Sequence, residues 1–560
     1  MCRGNRQVLR FAQDDNFEMG QDDDFVKAGD SVVMDRFLEQ KPNLRGVVER
    51  VRGGLFLRKK PLGDSASHST NSAFAIDGSQ ESLDGVRRIP GKAGASIIAG
   101  TRLTVFTFSV LALAVAAHVS AQAQDHPEYN YDEKSIPPYT VLDPLKLADG
   151  QPVKDAKTWY VVRRPQILRI FEEDEYGRTP AGAHVPLSSR VTEEDANAFG
   201  GAAVRRQVTL YFTPLKEAGV KMRLLMYLPA HAAGRVPVIL GLNFAGNQSV
   251  DADPGIALGE VWSKQPQAAA TSTAAAAQPA AAEYIRAAAA EKTRGIQAQE
   301  WQVEKIIAHG YGFATAYYGD IEPDFAGGIQ YGVRPLFYRK GQTAPAPNEW
   351  GAFAAWAWGL SRAVDYLDTD SKIDPHRIAV TGHSRLGKSA DWAAAQDLRF
   401  AAVLSTESGK GGQSLLHRYY GEPMSHLVDP FGYWFCGNFA KWVGRDQETP
   451  FDGNLMLSLI APRLLYVASA EGDRWSDPHG EFLSAVDVGR VYQLLGKQGL
   501  GTDQMPGVDQ PVPAGFASDV AYHIRTGKHD VTEYDWDQYL RFLDAHWKAP
   551  SAPRRPGAGK

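Results

Sequence analysis

A serine attacks an ester only when an imidazole takes its proton, and that imidazole usually needs a carboxylate to fix its orientation. The 560-residue chain supplies these residue types in one order. Ser384 lies in Arg377-Ile-Ala-Val-Thr-Gly-His-Ser-Arg-Leu-Gly-Lys388, where an apolar run leads into Gly382-His-Ser-Arg-Leu-Gly387 and on to Ala390, Trp392 and Ala393. This pattern predicts the strand, sharp turn and helix of a nucleophile elbow, with glycines where the backbone must come close. The common pattern is Gly-x-Ser-x-Gly, and here the second glycine falls one residue later. His529 stands between a short apolar run and a C-terminal helical pattern, the place of the histidine in the chain order Ser, acid, His. Two carboxylates fit the acid: Glu407, in Leu404-Ser-Thr-Glu-Ser-Gly-Lys-Gly-Gly412, and Asp473, in Val467-Ala-Ser-Ala-Glu-Gly-Asp473. Both follow predicted strands, where α/β folds place their ligands, and the later position slightly favours Asp473. Loop capping is the plain alternative for either.

Those residues need a sheet to carry them. Val208–Phe212 and Met222–Leu228 predict paired strands joined through a polar turn at Lys216 and Gly219. Runs at Val236–Phe244, Phe313–Tyr318, Ile378–Thr381, Ala401–Ser405 and Leu464–Ser469 read as buried strands, separated by helices such as Trp350–Leu367. Strand alternating with helix predicts an α/β class protein, and with the elbow an α/β-hydrolase fold: a three-layer αβα sandwich with a mostly parallel sheet and loop-side insertions. The Ala/Gln-rich stretch within about 263–298 is expected as such an insertion, continuing into a helix near Gln299–His309. Asp530 with Glu533 looks like the cap of the last helix, whose buried face is Trp536, Tyr539, Leu540, Leu543 and Trp547.

Composition narrows the chemistry further. With 60 basic against 65 acidic residues there is no broad positive field, so nucleic acid is not an expected partner. Two cysteines, Cys2 and Cys436, allow no multi-cysteine metal site and no disulfide framework. Residues 1–95 are expected to be disordered or a gene-model extension. Arg87, Arg88, Lys92 and Arg102 then lead into the apolar run Leu103–Ala117 and the small-residue sequence Val119–Gln124, the three parts of a secretory signal, which is placed at residues 96–123. The run is short of the ~20 residues that span a bilayer, so the mature protein is expected to be exported, periplasmic or extracellular, without a stable membrane span. Residues 124–547 are expected to form one catalytic domain, and 548–560 a disordered tail.

Taken together, Gly382-His-Ser-Arg-Leu-Gly-Lys388, Glu407-Ser-Gly-Lys-Gly-Gly412, Trp475 before Asp477-Pro478, and His529 before Asp535-Trp536 resemble the bacterial branch of the glucuronoyl esterases, carbohydrate esterase family 15. The resemblance covers roughly Asp125–Trp547. It implies hydrolysis of the ester between 4-O-methyl-glucuronic acid on xylan and an alcohol of lignin, with no metal or other cofactor; a monomer is expected. It also implies that Glu407 is the triad acid, that Asp473 assists, that Arg385 supports the oxyanion, and that Lys388, Glu422 and Trp475 contact the sugar. Fungal members carry cysteine where His383 stands. An acetyl xylan esterase or other carbohydrate esterase on the same fold is the nearer alternative. A non-catalytic, membrane-tethered glycan-binding protein is the alternative of another class.

Overall fold

In the computed structural model the described residues are 129–180, 188–265, 284–510 and 515–548. The expected leader, the secretory signal, most of the tail and the centre of the Ala/Gln-rich stretch lie outside them. The continuous apolar runs become strands buried on both faces, which is how parallel strands read when helices cover each side. Strands β4 (Val236–Asn243), β7 (Gly312–Tyr317), β8 (Ile373–His383), β9 (Phe400–Thr406), β10 (Leu464–Ala470) and β11 (Val520–Arg525) are parallel neighbours in the spatial order 7-4-8-9-10-11. Strands β1 (Ser188–Asn197), β2 (Ala203–Tyr211) and β3 (Lys221–Pro229) extend the sheet antiparallel beyond β7.

Alternation along each strand divides the core in two. Val238, Leu240, Ile378, Val380, Leu465 and Val467 pack on one face with helix α1 (Ala352–Leu367). Ile239, Ala379, Leu464, Tyr466 and Ala468 pack on the other with helix α3 (Glu533–Trp547). The α/β-hydrolase sandwich is therefore the observed architecture. Leaving β4, the chain goes first to β7 on one side and then to β8 on the other, so a topological switch point opens at the carboxyl ends of these strands.

On either side of the Ala/Gln-rich stretch, β5 (Glu260–Lys264) and β6 (Tyr284–Ala288) pair as an antiparallel hairpin. Two expectations are corrected. The helix expected over 299–309 is two short pieces, Ala298–Trp301 and Val303–Ala308, because Gln302 takes a left-handed φ of 46°. The cap of α3 is Thr532 with Asp535, not Asp530 with Glu533; the Thr532 side chain accepts from the Asp535 amide, and the Asp535 carboxylate accepts from the Thr532 amide at 2.7 Å. Asp530 instead turns its amide to Glu407 Oε2, 2.9 Å away.

Candidate active site

Ser384 joins β8 to helix α2 (Arg385–Gln396) with φ 56° and ψ −131°, a conformation that L-residues adopt only when their surroundings enforce it. The enforcement is visible at Gly382, where an added Cβ would lie 2.2 Å from the Leu386 carbonyl oxygen. The displaced second glycine still serves close packing, since a Cβ at Gly387 would lie 3.0 Å from Ser405 Oγ. Glu407 repeats the turn on the adjacent strand. It follows β9 with φ 49°, and His383 pairs with Thr406 in the β8–β9 register, so the residues after them emerge side by side. Each is tied to the next strand, Ser384 N–H donating to Thr406 O at 3.0 Å and Glu407 N–H to Ala468 O at 2.8 Å.

The loop after β11 brings His529 to both acids. Its Nδ1 lies 2.7 Å from Asp473 Oδ2 and 3.2 Å from Glu407 Oε2. With Nδ1 so engaged, Nε2 is the ring nitrogen left to exchange a proton. Burial alone would lower the His529 pKa, but the Asp473 and Glu407 carboxylates outweigh it and raise the pKa above the ordinary histidine value. Burial would raise Asp473, yet the His529 charge and hydrogen bond leave it below its ordinary value. Glu407 is the more committed of the two acids. Its Oε1 accepts from Arg525 Nη2 at 2.9 Å, and its Oε2 also faces His383 Nε2 at 3.3 Å.

On the other side of Ser384, the Arg385 guanidinium sits over the rings of Phe244 and Trp434, at 5.7 and 5.1 Å from their centroids. Its Nη1 donates to Asp324 Oδ2 at 2.7 Å. Burial acts to lower its pKa, and the Asp324 charge reverses that, so the arginine remains a cation. A backbone amide at the start of α2 and this guanidinium are the donors that an oxyanion beside Ser384 would meet.

Lys388, Glu422 and Trp475 form an adjoining group. Lys388 is one turn along α2, its Nζ bonded to Ser408 O, and burial lowers its pKa against the pull of Glu422. Glu422 takes His426 Nδ1 at 2.9 Å, and its amide donates to Trp475 O at 3.0 Å. The Trp475 ring meets His426 edge-on at 4.8 Å.

Ser384, Glu407, Asp473 and His529 follow the parallel strands β8, β9, β10 and β11, while Lys388 lies in the first turn of α2 and Glu422 is tied to Trp475 in the loop after β10. Three partners were not read from the sequence: His383 as a second imidazole on Glu407, Arg525 behind that acid, and Asp324 behind Arg385. Asp324 had a positional signal, since it follows β7 at the same carboxyl edge. Arg525 ends β11 four residues before His529. One nitrogen or oxygen from each of His383, Glu407 and His529 lies within 4.8 Å of the others, a set that could hold a metal ion, although Arg525 and the Asp530 amide already hold the carboxylate. A cavity of about 640 Å³ opens at the opposite, amino-terminal ends of β4 and β8, beside Val236 and Arg377, and contains none of the expected site residues.

The family description "Glucuronyl esterase, fungi" matches residues 343–496, a span holding Ser384, Glu407 and Asp473 but not His529. Carbohydrate esterase MZ0003, from an unknown prokaryotic organism, is 43% identical over 418 residues, covering 75% of this chain and 92% of that protein. The chain belongs to the glucuronoyl esterases, carbohydrate esterase family 15. It is accordingly a carboxylic ester hydrolase. Among solved family members, the glucuronoyl esterase of Solibacter usitatus is 50% identical with a TM-score of 0.68, covering 74% of this chain and all (100%) of that one. A promiscuous CE15 esterase from a marine bacterial metagenome is 42% identical with a TM-score of 0.66, covering 75% of this chain and 100% of that one.

Proposed function

We propose that this glucuronoyl esterase is an exported serine esterase that hydrolyses esters of 4-O-methyl-glucuronic acid, as in glucuronoxylan–lignin linkages. The observation that carries the proposal is a serine held at φ 56° between its neighbours His383 and Arg385, where the ring of His383 lies 4.5 Å from that of His529, a histidine bound by two carboxylates, and Arg385 is bound by one. Ser384 attacks the ester carbonyl while His529 takes its proton. Asp473 and Glu407 fix His529 and stabilise the imidazolium, and Arg385 meets the charge that develops on the carbonyl oxygen. His529 returns the proton to the departing alcohol, and water then resolves the acyl-enzyme by the same route. A uronoyl ester is uncharged before attack, so the Arg385 cation is matched to the transition state more closely than to the substrate. Lys388 and Glu422 suit sugar hydroxyls and Trp475 an apolar sugar face.

The sugar specificity draws support from relatives such as the 4-O-methyl-glucuronoyl methylesterase of Podospora anserina, 40% identical over 135 residues, 22% of this chain and 28% of that protein. Export draws support from the basic, apolar and small-residue order of 87–124; no helix among the described residues is long and apolar enough to cross a membrane. The test is turnover of benzyl and methyl glucuronate beside acetylated xylan, with Ser384→Ala as the control. Release of benzyl alcohol or methanol is expected to disappear in the variant. Activity confined to acetyl groups would overturn the assignment.

A further inference from the structure

Asp324 collects four donors on one buried carboxylate. Oδ1 accepts from Tyr433 OH at 2.8 Å and Trp434 Nε1 at 2.6 Å, while Oδ2 accepts from Arg385 Nη1 at 2.7 Å and Tyr318 OH at 3.1 Å. Its side chain is 5% exposed and that of Arg385 is 25% exposed, so the pair is closed on the aspartate side and open on the arginine side. Among the described residues, Asp324 is the hydrogen-bond partner of the guanidinium. A long arginine side chain left to itself samples many rotamers, and a donor stabilises an oxyanion only when it is already in place.

The segment that carries Tyr318 and Asp324 is itself braced by the β5–β6 hairpin. Tyr284 stacks on Phe325 with ring centroids 4.1 Å apart and planes within 8°, and Trp262 meets the same ring at 5.5 Å. Arg286 pairs with Asp320 in that segment, and the Trp262 amide donates to Tyr317 OH at 3.2 Å.

We propose that Asp324 is the positioning residue for the Arg385 oxyanion donor, and that the inserted hairpin acts on catalysis through it. This rests on reading Arg385 as that donor. Because the oxyanion exists only after attack, loss of Asp324 lowers kcat and leaves KM nearly unchanged. A purely structural carboxylate would instead lower the melting temperature without a selective effect on turnover.

The experiment is a double-mutant cycle on methyl glucuronate with the full chain, reading kcat, KM and Tm for Asp324→Ala, Arg385→Ala and the pair. Asp324→Ala is expected to lower kcat by ~10–100-fold, the scale of a misplaced catalytic group, with KM within about threefold of wild type. In the Arg385→Ala background the same change is expected to add nothing, since the group it positions is gone. Multiplying losses, or an unaltered kcat in Asp324→Ala, would overturn the proposal and leave the role of Arg385 standing. An unaltered kcat in Arg385→Ala would overturn the oxyanion reading beneath it. Should Asp324→Ala fail to fold, Asp324→Asn keeps the packing and one acceptor, and is held to the same non-additivity. Tyr284→Ala, outside the site, is expected to lower kcat by a smaller factor that also vanishes in the Arg385→Ala background; a loss that persists there would refute the hairpin's part.

Discussion

On the histidine flank of Ser384 one imidazole is shared by two carboxylates, whereas on the arginine flank one carboxylate collects four donors. The first arrangement duplicates the acid and divides its labour. Asp473 lies closer to His529, while Glu407 also anchors Arg525, which in turn reaches Asp535 at 2.8 Å. The second concentrates the orientation of a long, mobile cation in one buried group. One flank therefore tolerates partial loss, and the other depends on a single contact.

The sharpest way to break the contrast is to remove the atom on which both flanks converge. Ser384→Ala is expected to reduce kcat by on the order of 10⁶-fold, measured on benzyl glucuronate; turnover near the wild-type value would leave both flanks without a function. Arg385→Ala should follow at ~10²–10³-fold in kcat, with single-turnover kinetics separating chemistry from product release.

On the histidine flank, Asp473→Ala and Glu407→Ala should each cost less in kcat than the double variant, and Glu407→Ala should lower unfolding free energy the more, by about 1–3 kcal/mol, because it also removes one of the two carboxylates that hold the buried Arg525 cation, leaving it Asp535. Urea titration of the three proteins checks this. Equal and complete loss in either single variant would show that the acids are not duplicated.

The pH profile sharpens the same point. His529 must be neutral to act as base, and its pKa is raised, so kcat/KM is expected to increase with pH through a limb above the ordinary histidine range. Asp473→Asn removes one of the two charges that raise it and should move that limb to lower pH. The ion pair's contribution to stability is complete below the unfolded histidine value and fades as pH rises through the raised folded one. Asp473, whose pKa is lowered, adds stability above its unfolded value that is lost as pH falls through the folded one. The smallest effect lies away from the flanks: Thr532→Ala removes the α3 cap and should cost ~1 kcal/mol in thermal unfolding, with kcat unchanged.

The strands that carry Ser384, Glu407 and Asp473 were legible because parallel strands covered on both faces are written as unbroken apolar runs. β1 was not, since its residues are largely exposed and polar and its pairing with β2 supplies what its sequence lacks. The β5–β6 hairpin was hidden for a related reason: Glu260–Lys264 and Tyr284–Ala288 are five-residue, largely exposed segments on either side of the Ala/Gln-rich stretch, too short to show a period. The capping pair of α3 was misread by two residues, because Asp530, Thr532, Glu533 and Asp535 all suit a helix start and only the fold turns the Asp530 amide toward Glu407.

The sequence by itself singled out Ser384, His529 and the two carboxylates as candidates, because an elbow needs glycine where backbones touch and a triad keeps its chain order. Tertiary structure alone decided how those acids are shared. His529 lies more than a hundred residues from Glu407 and 56 from Asp473, and only the parallel register of β9, β10 and β11 sets both carboxylates against one nitrogen. The same holds for Asp324, 61 residues from Arg385: local spacing cannot encode a contact that exists only because two strand ends open on one crevice.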